Sequence, residues 1–318
     1  MATAANLTYS GNKIAEDFHN TIYDISPTDT PFVTMAKRFK AQNTLHQWTY
    51  DALNAAGTNA ALEGADADPT ARAQPTTLGN YCQILKKEVS ISGTFEAVNK
   101  YGRKSEVAYQ TARMAKEIKR DLEYAAVRNQ ASSAGGATTA RTMAGIEGWI
   151  SGNRVLGTGT TSGTTTGYTG GIVGSPTDGS TTAFIEADLK TALSLAWADG
   201  GDPSVIMMSA VNKKAFSGFT GVATRFNDVK GATSANIIGS ADVYVSDFGV
   251  HKAVLNRYMR DQAVLCLDPD HVGIAFLRPF SKTPLARTGD SERFQILGEA
   301  TLVVTNPNAH AKVQNVGG

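Results

Sequence analysis

Cysteine is nearly absent. Cys82 and Cys266 are the two in the chain, and they match neither a disulfide framework nor a zinc site, which fits synthesis in a reducing compartment. Charge is scarce as well: 19% of residues are Asp, Glu, Lys or Arg, and the formal net charge is +1. So balanced a chain gives no reason to expect strong nonspecific nucleic-acid binding. No apolar run approaches the roughly 20 residues of a membrane span. The opening MATAANLTYSG lacks the basic and apolar regions of a secretory signal, so the product is expected to stay where it is made. The 31 glycines and the Thr-rich middle follow no fixed period, which argues against solenoids and propellers.

Signatures of catalysis are missing too. There is no P-loop, no H-E-x-x-H and no G-x-S-x-G. Gly157-Thr158-Gly159 begins like a dinucleotide fingerprint, but Ser162 stands where the third glycine belongs and no acidic partner follows at the right distance. Asp268, Asp270 and His271 bring three metal-ligating or acid/base groups into four residues. The plainer reading of D-P-D-H is a turn, because Asp and Pro are turn formers. A hydrolase built on that cluster is the alternative from another class, and its substitution would then abolish an activity. His19, His46, His251 and His310 are scattered. The expectation is a protein without catalysis, metal or cofactor.

What is present starts with a long helix. SEVAYQTARMAKEIKRDLEYAAVRNQ, from Ser105 to Gln130, has no Gly or Pro and is rich in good helix formers. Val107, Thr111, Met114, Ile118, Leu122 and Ala125 recur at steps of three and four. Ser105 suits the N-cap. The opposite face carries Arg113, Lys116, Arg120 and Glu123, which solubility explains as well as contact with a second surface.

Upstream, residues 1–12 read as a loose arm and Lys13 to Ile25 as a short helix. ISPTDTPFVTMA then reads as an extended strap, broken by Pro27 and Pro31 and anchored by Phe32. TLHQWTY (44–50) and YCQILKKEVSIS (81–92) read as the two strands of a projecting hairpin. Its long tip is acidic, with Asp51, Glu63, Asp66 and Asp68 against Arg72. Such a hairpin buries too little to be stable alone, so its packing partner is expected on another molecule. Arg103, Lys104, Arg113, Lys116 and Arg120 are candidate partners for the acidic tips of neighbouring copies. Phe32 and Trp48 join them as candidate contacts.

Downstream, Gly157 to Gly171 reads as a mobile Gly/Thr loop and Thr182 to Ala198 as a second amphipathic helix. Residues 241–246 with 251–256, and 263–267 with 272–277, read as two hairpins; Phe294 to Thr305 alternates like a core strand. Hairpin, long helix, mixed block and then strands make the class α+β.

Several stretches together resemble the major capsid proteins of certain tailed bacteriophages, with the Hong Kong 97-type capsid fold. They are ISPTDTPF (25–32), GNYCQILKKEVSISGTFEAV (79–98), GRKSEVAYQTARMAKEIKRDLEYAAVRNQA (102–131), AGIEGW (144–149), VSDFG (245–249), LDPDHV (267–272) and LARTGDSERFQILGEATLVVTN (285–306). The resemblance implies an N-terminal arm (1–36), an extended β-hairpin loop (37–94) and a peripheral domain with the spine helix (95–150). An axial domain (151–260) and C-terminal strands returning to the peripheral domain (261–318) complete it. It further implies pentamers and hexamers closing an icosahedral shell around double-stranded DNA, in a virion assembled in the bacterial cytoplasm. Self-association, a portal and, where one is used, a cement protein are the implied partners. The capsid-like pattern starts almost at Met1, so the scaffolding protein is expected to be separate. Some shells of this fold are locked by a Lys–Asn bond from the extended loop, and no lysine lies between Ala41 and Leu85, so locking is expected to be noncovalent. An encapsulin-like compartment of the same fold is the alternative.

Overall fold

The computed structural model describes residues 26–54, 56–64, 66, 71–72, 74–160, 163–219 and 243–317. Residues 1–12 of the expected arm, the helix at 13–25 and Asp68 lie outside the described residues.

Pro31 opens a one-turn helix, α1 (Pro31–Met35), where the sequence predicts an extended strap. Proline at the first turn loses nothing, because its missing N–H would have no partner inside the helix. Two further N–H groups, of Phe32 and Val33, find their acceptors on Glu123. β1 (Lys37–Lys40) and β2 (Leu45–Tyr50) follow, then β3 (Thr76–Tyr81) and β4 (Gln83–Ser92). Here the predicted hairpin needs correction: β2 pairs antiparallel with β3, Trp48 opposite Leu78, and β4 belongs to another sheet. The chain changes sheets at Cys82, whose side chain is fully buried and whose N–H donates to Thr44 O at 2.8 Å. Thr/Gly/Pro-rich composition hid β3 within the apparent tip.

α2 (Gly93–Ala97) leads to the spine helix, α3 (Glu106–Val127), with the Ser105 Oγ accepting from Ala108 N at 3.2 Å as expected of an N-cap. Met114, Ile118, Leu122, Ala125 and Ala126 form its buried stripe. Glu123, expected on the solvated face, is fully buried.

The middle of the chain comprises α4 (Ile146–Trp149) and β5 (Arg154–Leu156), then four two-residue strands, β6 (Gly163–Thr164), β7 (Tyr168–Thr169), β8 (Ile172–Val173) and β9 (Thr177–Asp178). The Gly/Thr loop is therefore folded, with β6 paired to β9 and β7 to β8. It is tied down by Tyr168 stacked on Trp149 at 5.8 Å, by Arg154 Nη1 donating to Gly163 O, and by the fully buried Val173.

α5 (Glu186–Ala198), β10 (Val205–Met208) and α6 (Ala210–Ser217) lie close to their predicted positions. β11 (Val243–Ser246) and β12 (Gly249–Leu255) form the predicted hairpin with a tighter turn. Gly249, at φ +134°, supplies a backbone conformation that other residues rarely adopt. β13 (Ala263–Leu267), β14 (Val272–Pro284), β15 (Ser291–Val304) and β16 (Ala311–Gln314) end the chain.

A four-stranded sheet runs β1-β14-β15-β4 and a six-stranded sheet β11-β12-β10-β13-β16-β5. This divides 261–318, expected to return as one set of strands: β14 and β15 join the first sheet, β13 and β16 the second. Nor do β13 and β14 form a hairpin. β13 is buried at all five positions and takes β10 and β16 as its neighbours, so the 269–271 turn hands the chain from one sheet to the other. One core packs α3, α4 and the four-stranded sheet around Trp149; a second lies between α5, α6 and the six-stranded sheet. Helices and separate, mostly antiparallel pairings give the α+β class that the sequence predicts.

Candidate assembly interface

The β2–β3 hairpin stands on Trp48. This half-buried indole donates from Nε1 to Val304 O at 3.0 Å, and its ring centroid lies 5.4 Å from that of Trp149. Trp48 is thus the root of the hairpin in its own chain, and Phe32, fully buried beside α3, is likewise an internal anchor; neither is a free contact. Just beyond Trp48, Thr49 to Leu53 still face the body across a cavity of about 670 Å³ lined by Asp199, His271, Thr305, Asn306 and Asn308. Asp51, Glu63 and Asp66 are exposed at the tip, as predicted. Leu53 (96% exposed) and Leu62 (85%) stand with them, two bare leucines that the sequence reading passed over. Their signal was available: large apolar residues in a stretch otherwise made of Ala, Gly, Asn, Asp and Thr.

The basic candidates divide. Arg103 is used within its own chain, paired with Glu106 and lying over the Tyr109 and Phe95 rings at 5.0 and 5.9 Å. Lys104 is exposed at the helix entry. Arg113, Lys116 and Arg120 come together in a groove of about 320 Å³ between β4, α3 and the strap, with Lys87, Ser26 and Thr28. Arg113 bonds Glu117 at 3.1 Å and Lys87 pairs with Asp121 at 2.8 Å. Four basic side chains thus line the groove against two acidic ones, and the Arg120 Nε has no hydrogen-bond partner among the described residues.

The Asp268 cluster has a turn's geometry. Asp268 Oδ1 accepts from Asp270 N at 2.9 Å, Asp270 pairs with Lys37 at 2.8 Å, and the Asp268 N–H donates to His310 Nδ1 at 3.1 Å. Burial holds the His310 imidazole down at about 4, so it is neutral and free to accept there. The Lys37 ammonium holds the Asp270 carboxyl below its usual range. Each group is thus occupied in shaping the link between the two sheets. Among the described residues no group of three or more His, Cys, Asp or Glu is placed to hold a metal ion, and no helix is long and apolar enough to cross a membrane.

Beneath the surface lies a charged junction that the sequence did not reveal. Arg260, just before β13, donates to both carboxylate oxygens of Glu147 in α4 and to Asp178 in β9. Lys312 in β16, 1% exposed, donates to Glu147 O at 2.8 Å and Thr165 Oγ1 at 2.6 Å. Burial draws its ammonium down to about 7 against the pull of Glu147. This network sews β16, α4, the Gly/Thr ribbons and the segment entering β13 into one body, the platform from which the hairpin projects.

Comparison with known proteins places this architecture. The family model of the SU10 major capsid protein matches residues 2–317. The major capsid protein of Escherichia phage Phieco32 is 28% identical over 333 residues, covering 95% of this chain and 94% of that protein. Among solved structures, a chain of the cyanophage A-1(L) capsid asymmetric unit superposes with a TM-score of 0.68 at 12% identity, covering 97% of this chain and 98% of the other. The capsid of the native GTA particle gives 0.62 at 14%, covering 98% of each chain. The holo-SrpI encapsulin of Synechococcus elongatus PCC 7942 gives 0.58 at 11%, covering 95% and 93%. Those structural likenesses carry the fold, the Hong Kong 97-type capsid fold. Hairpin, spine helix and paired sheets, matched by one family model over almost their whole length, mean that the chain belongs to the SU10 major capsid protein family.

Proposed function

We propose that this chain is the wall of a tailed-phage head: pentamers and hexamers of it close an icosahedral shell around double-stranded DNA, with assembly in the host cytoplasm. The hairpin carries this reading. Its tip holds Leu53 and Leu62 in solvent, where a stable monomer gains nothing from them. A neighbouring copy covers them in a shell, and contacts of that obligate kind typically bury roughly 2,000 Å² or more. The wall's near-neutral charge suits packaged DNA held without sequence-specific contacts.

In this reading the acidic tip (Asp51, Glu63, Asp66 and Asp68) docks in the groove of Arg113, Lys116 and Arg120 on an adjacent subunit. Opposite charges there fix register and suppress wrong pairings. The lock is noncovalent, since the segment from Ala41 to Leu85 has no lysine to form an amide cross-link. Electron microscopy of purified particles tests the whole: closed shells with a portal and DNA support it, and shells filled with protein cargo would move the reading to an encapsulin. Reversing Asp51, Glu63 and Asp66 to Lys should prevent shell closure, and reversing Arg113, Lys116 and Arg120 to Glu in the same chain should restore it. Failure of the second change to rescue the first removes the tip-to-groove pairing while leaving the shell intact as a conclusion. Covalent ladders of this subunit on denaturing gels would remove the noncovalent lock.

A further inference from the structure

The two long helices differ on their outer faces. α3 sets Arg113, Lys116 and Lys119 in solvent opposite its buried stripe, as a surface helix should. α5 buries Leu189, Ala192, Leu193 and Ala196 against the six-stranded sheet, yet from Thr191 to Ala198 it has no charged residue at all. Thr191, Ser194, Leu195, Trp197 and Ala198 are nevertheless exposed there. Trp197 is 60% exposed and leans on Phe248 of the β11–β12 turn, ring centroids 5.7 Å apart. A helix without charge on any side belongs in an interior.

A second bare face lies on the other side of the same layer. In the six-stranded sheet Ile206, Tyr244 and Ala253 pack towards α5, while Met207, Val254 and Leu265 pack towards the first core. Side chains alternate along a strand, so Val250 and Lys252 share the face of Val254, and β11 sets Val245 and Val243 beside them. β11 is the outer strand of the sheet, and there this face is uncovered. Val250 is 64% and Val245 45% exposed, and Val243 and Lys252 are exposed as well. Valines in solvent on an outer strand are a hazard that a covering partner removes.

We infer that these two faces cover each other between copies of this chain: the outer face of α5 packs on the β11–β12 valines of the next copy, head to tail. Lying on opposite sides of one layer, they cannot meet within a chain. A patch that fits a different patch makes a heterologous contact, which closes into a ring when the rotation allows. Charge agrees with the pairing. The α5 face ends at the exposed Asp199 and the negative, carbonyl end of the helix, whereas the charge on the valine face is Lys252. Neither Asp199 nor Lys252 forms an ion pair among the described residues. Trp197 stands beside that end of the helix, and a tryptophan buried in an interface supplies a large share of its binding energy. The contact uses none of the residues of the tip-to-groove pairing, and it rests on the shell reading only for the number of copies in the ring.

Tryptophan fluorescence of the full chain tests it, through acrylamide quenching of the unassembled chain and of its rings or particles. The difference from Trp197→Phe isolates Trp197 from Trp48 and Trp149. Quenching of Trp197 should fall several-fold on assembly. A Trp197 equally open in both forms overturns the inference, and where the assembled form is a closed shell, the shell reading survives that result. Chains with Ser194→Cys and chains with Val250→Cys, assembled as a mixture, should be joined into a dimer by a short bismaleimide, since Cys82 and Cys266 are buried and stay out of the reaction. A mixture that yields no linked dimer overturns the pairing. So does a dimer from either chain alone, which would make the contact isologous. Val245→Lys, at an exposed position, should leave the fold intact and move the protein from rings to single chains in sedimentation; rings that form as before overturn the inference too. Should Trp197→Phe fail to assemble, the crosslink decides.

Discussion

The hairpin tip and the Arg260 junction treat polar and apolar groups in opposite ways. At the junction the Glu147 carboxylate and the Lys312 ammonium are buried, the Asp178 carboxylate and the Arg260 guanidinium are half-buried, and each finds partners inside the chain. At the tip two leucines stand bare in solvent beside exposed acids. Burying charge is expensive unless every group is paired, and exposing leucine forfeits the free energy its burial would provide. The junction therefore reads as a finished interior, and the tip as half of an interface. One chain thus contains a platform complete in itself and, in the proposed shell, a finger whose completion lies on a second molecule.

The harshest way to break that comparison is to remove the junction's centre. Arg260→Ala leaves Glu147 buried and Asp178 half-buried without the guanidinium that bridges them and should destabilise the chain by about 3–5 kcal/mol, measured by chemical denaturation. A loss below about 1 kcal/mol, the range of exposed pairs, would show the junction to be no more than surface decoration. Next comes pH. The Lys312 ammonium lies at about 7 in the folded chain against an ordinary value of 10.5, so above neutrality the unfolded state binds more protons and stability should rise with pH. The clean window is about pH 7 to pH 9, because the buried Cys266 thiol, pushed up to about 12, works in the opposite direction beyond it. Thermal melts should show the rise, and Lys312→Met should flatten it. The smallest expected effect is at the tip. Leu53→Ser with Leu62→Ser should shift the stability of the unassembled chain by no more than about 0.5 kcal/mol, while lowering the yield of closed particles in sedimentation. A large loss of monomer stability would mean that the tip packs on its own chain.

Much of the fold was legible because it is local. The spine helix declared itself through period and cap: Ser105 and the stripe from Met114 to Ala125 sit where the spacing places them. α5, β10, α6 and the β11–β12 hairpin were legible for the same reason. The failures share a cause. Which strand pairs with which is a decision between distant residues, so Thr76–Tyr81 as the partner of β2, and the split of β13 and β16 from β14 and β15, left no local trace. The Gly/Thr segment looked mobile because its own residues pack poorly; Trp149, Arg154 and Lys312, all outside it, hold it. In the candidate interface, sequence reasoning identified the acidic tip and the helix's cations but could not see that Arg103 is consumed by Glu106, or that Lys87 and the strap turn the remaining cations into a groove.

By itself, then, the sequence determined the long helix, its cap, the alternation of the core strands and the charge of the tip, since each depends on neighbours within a turn or a pleat. Tertiary structure alone decided the fate of the polar residues. Glu123 has the composition of a solvated helix face, and Lys312 that of an exposed strand. Both ended buried because donors and acceptors from segments more than 80 residues away closed around them. Desolvation and its compensation are settled only when those segments meet.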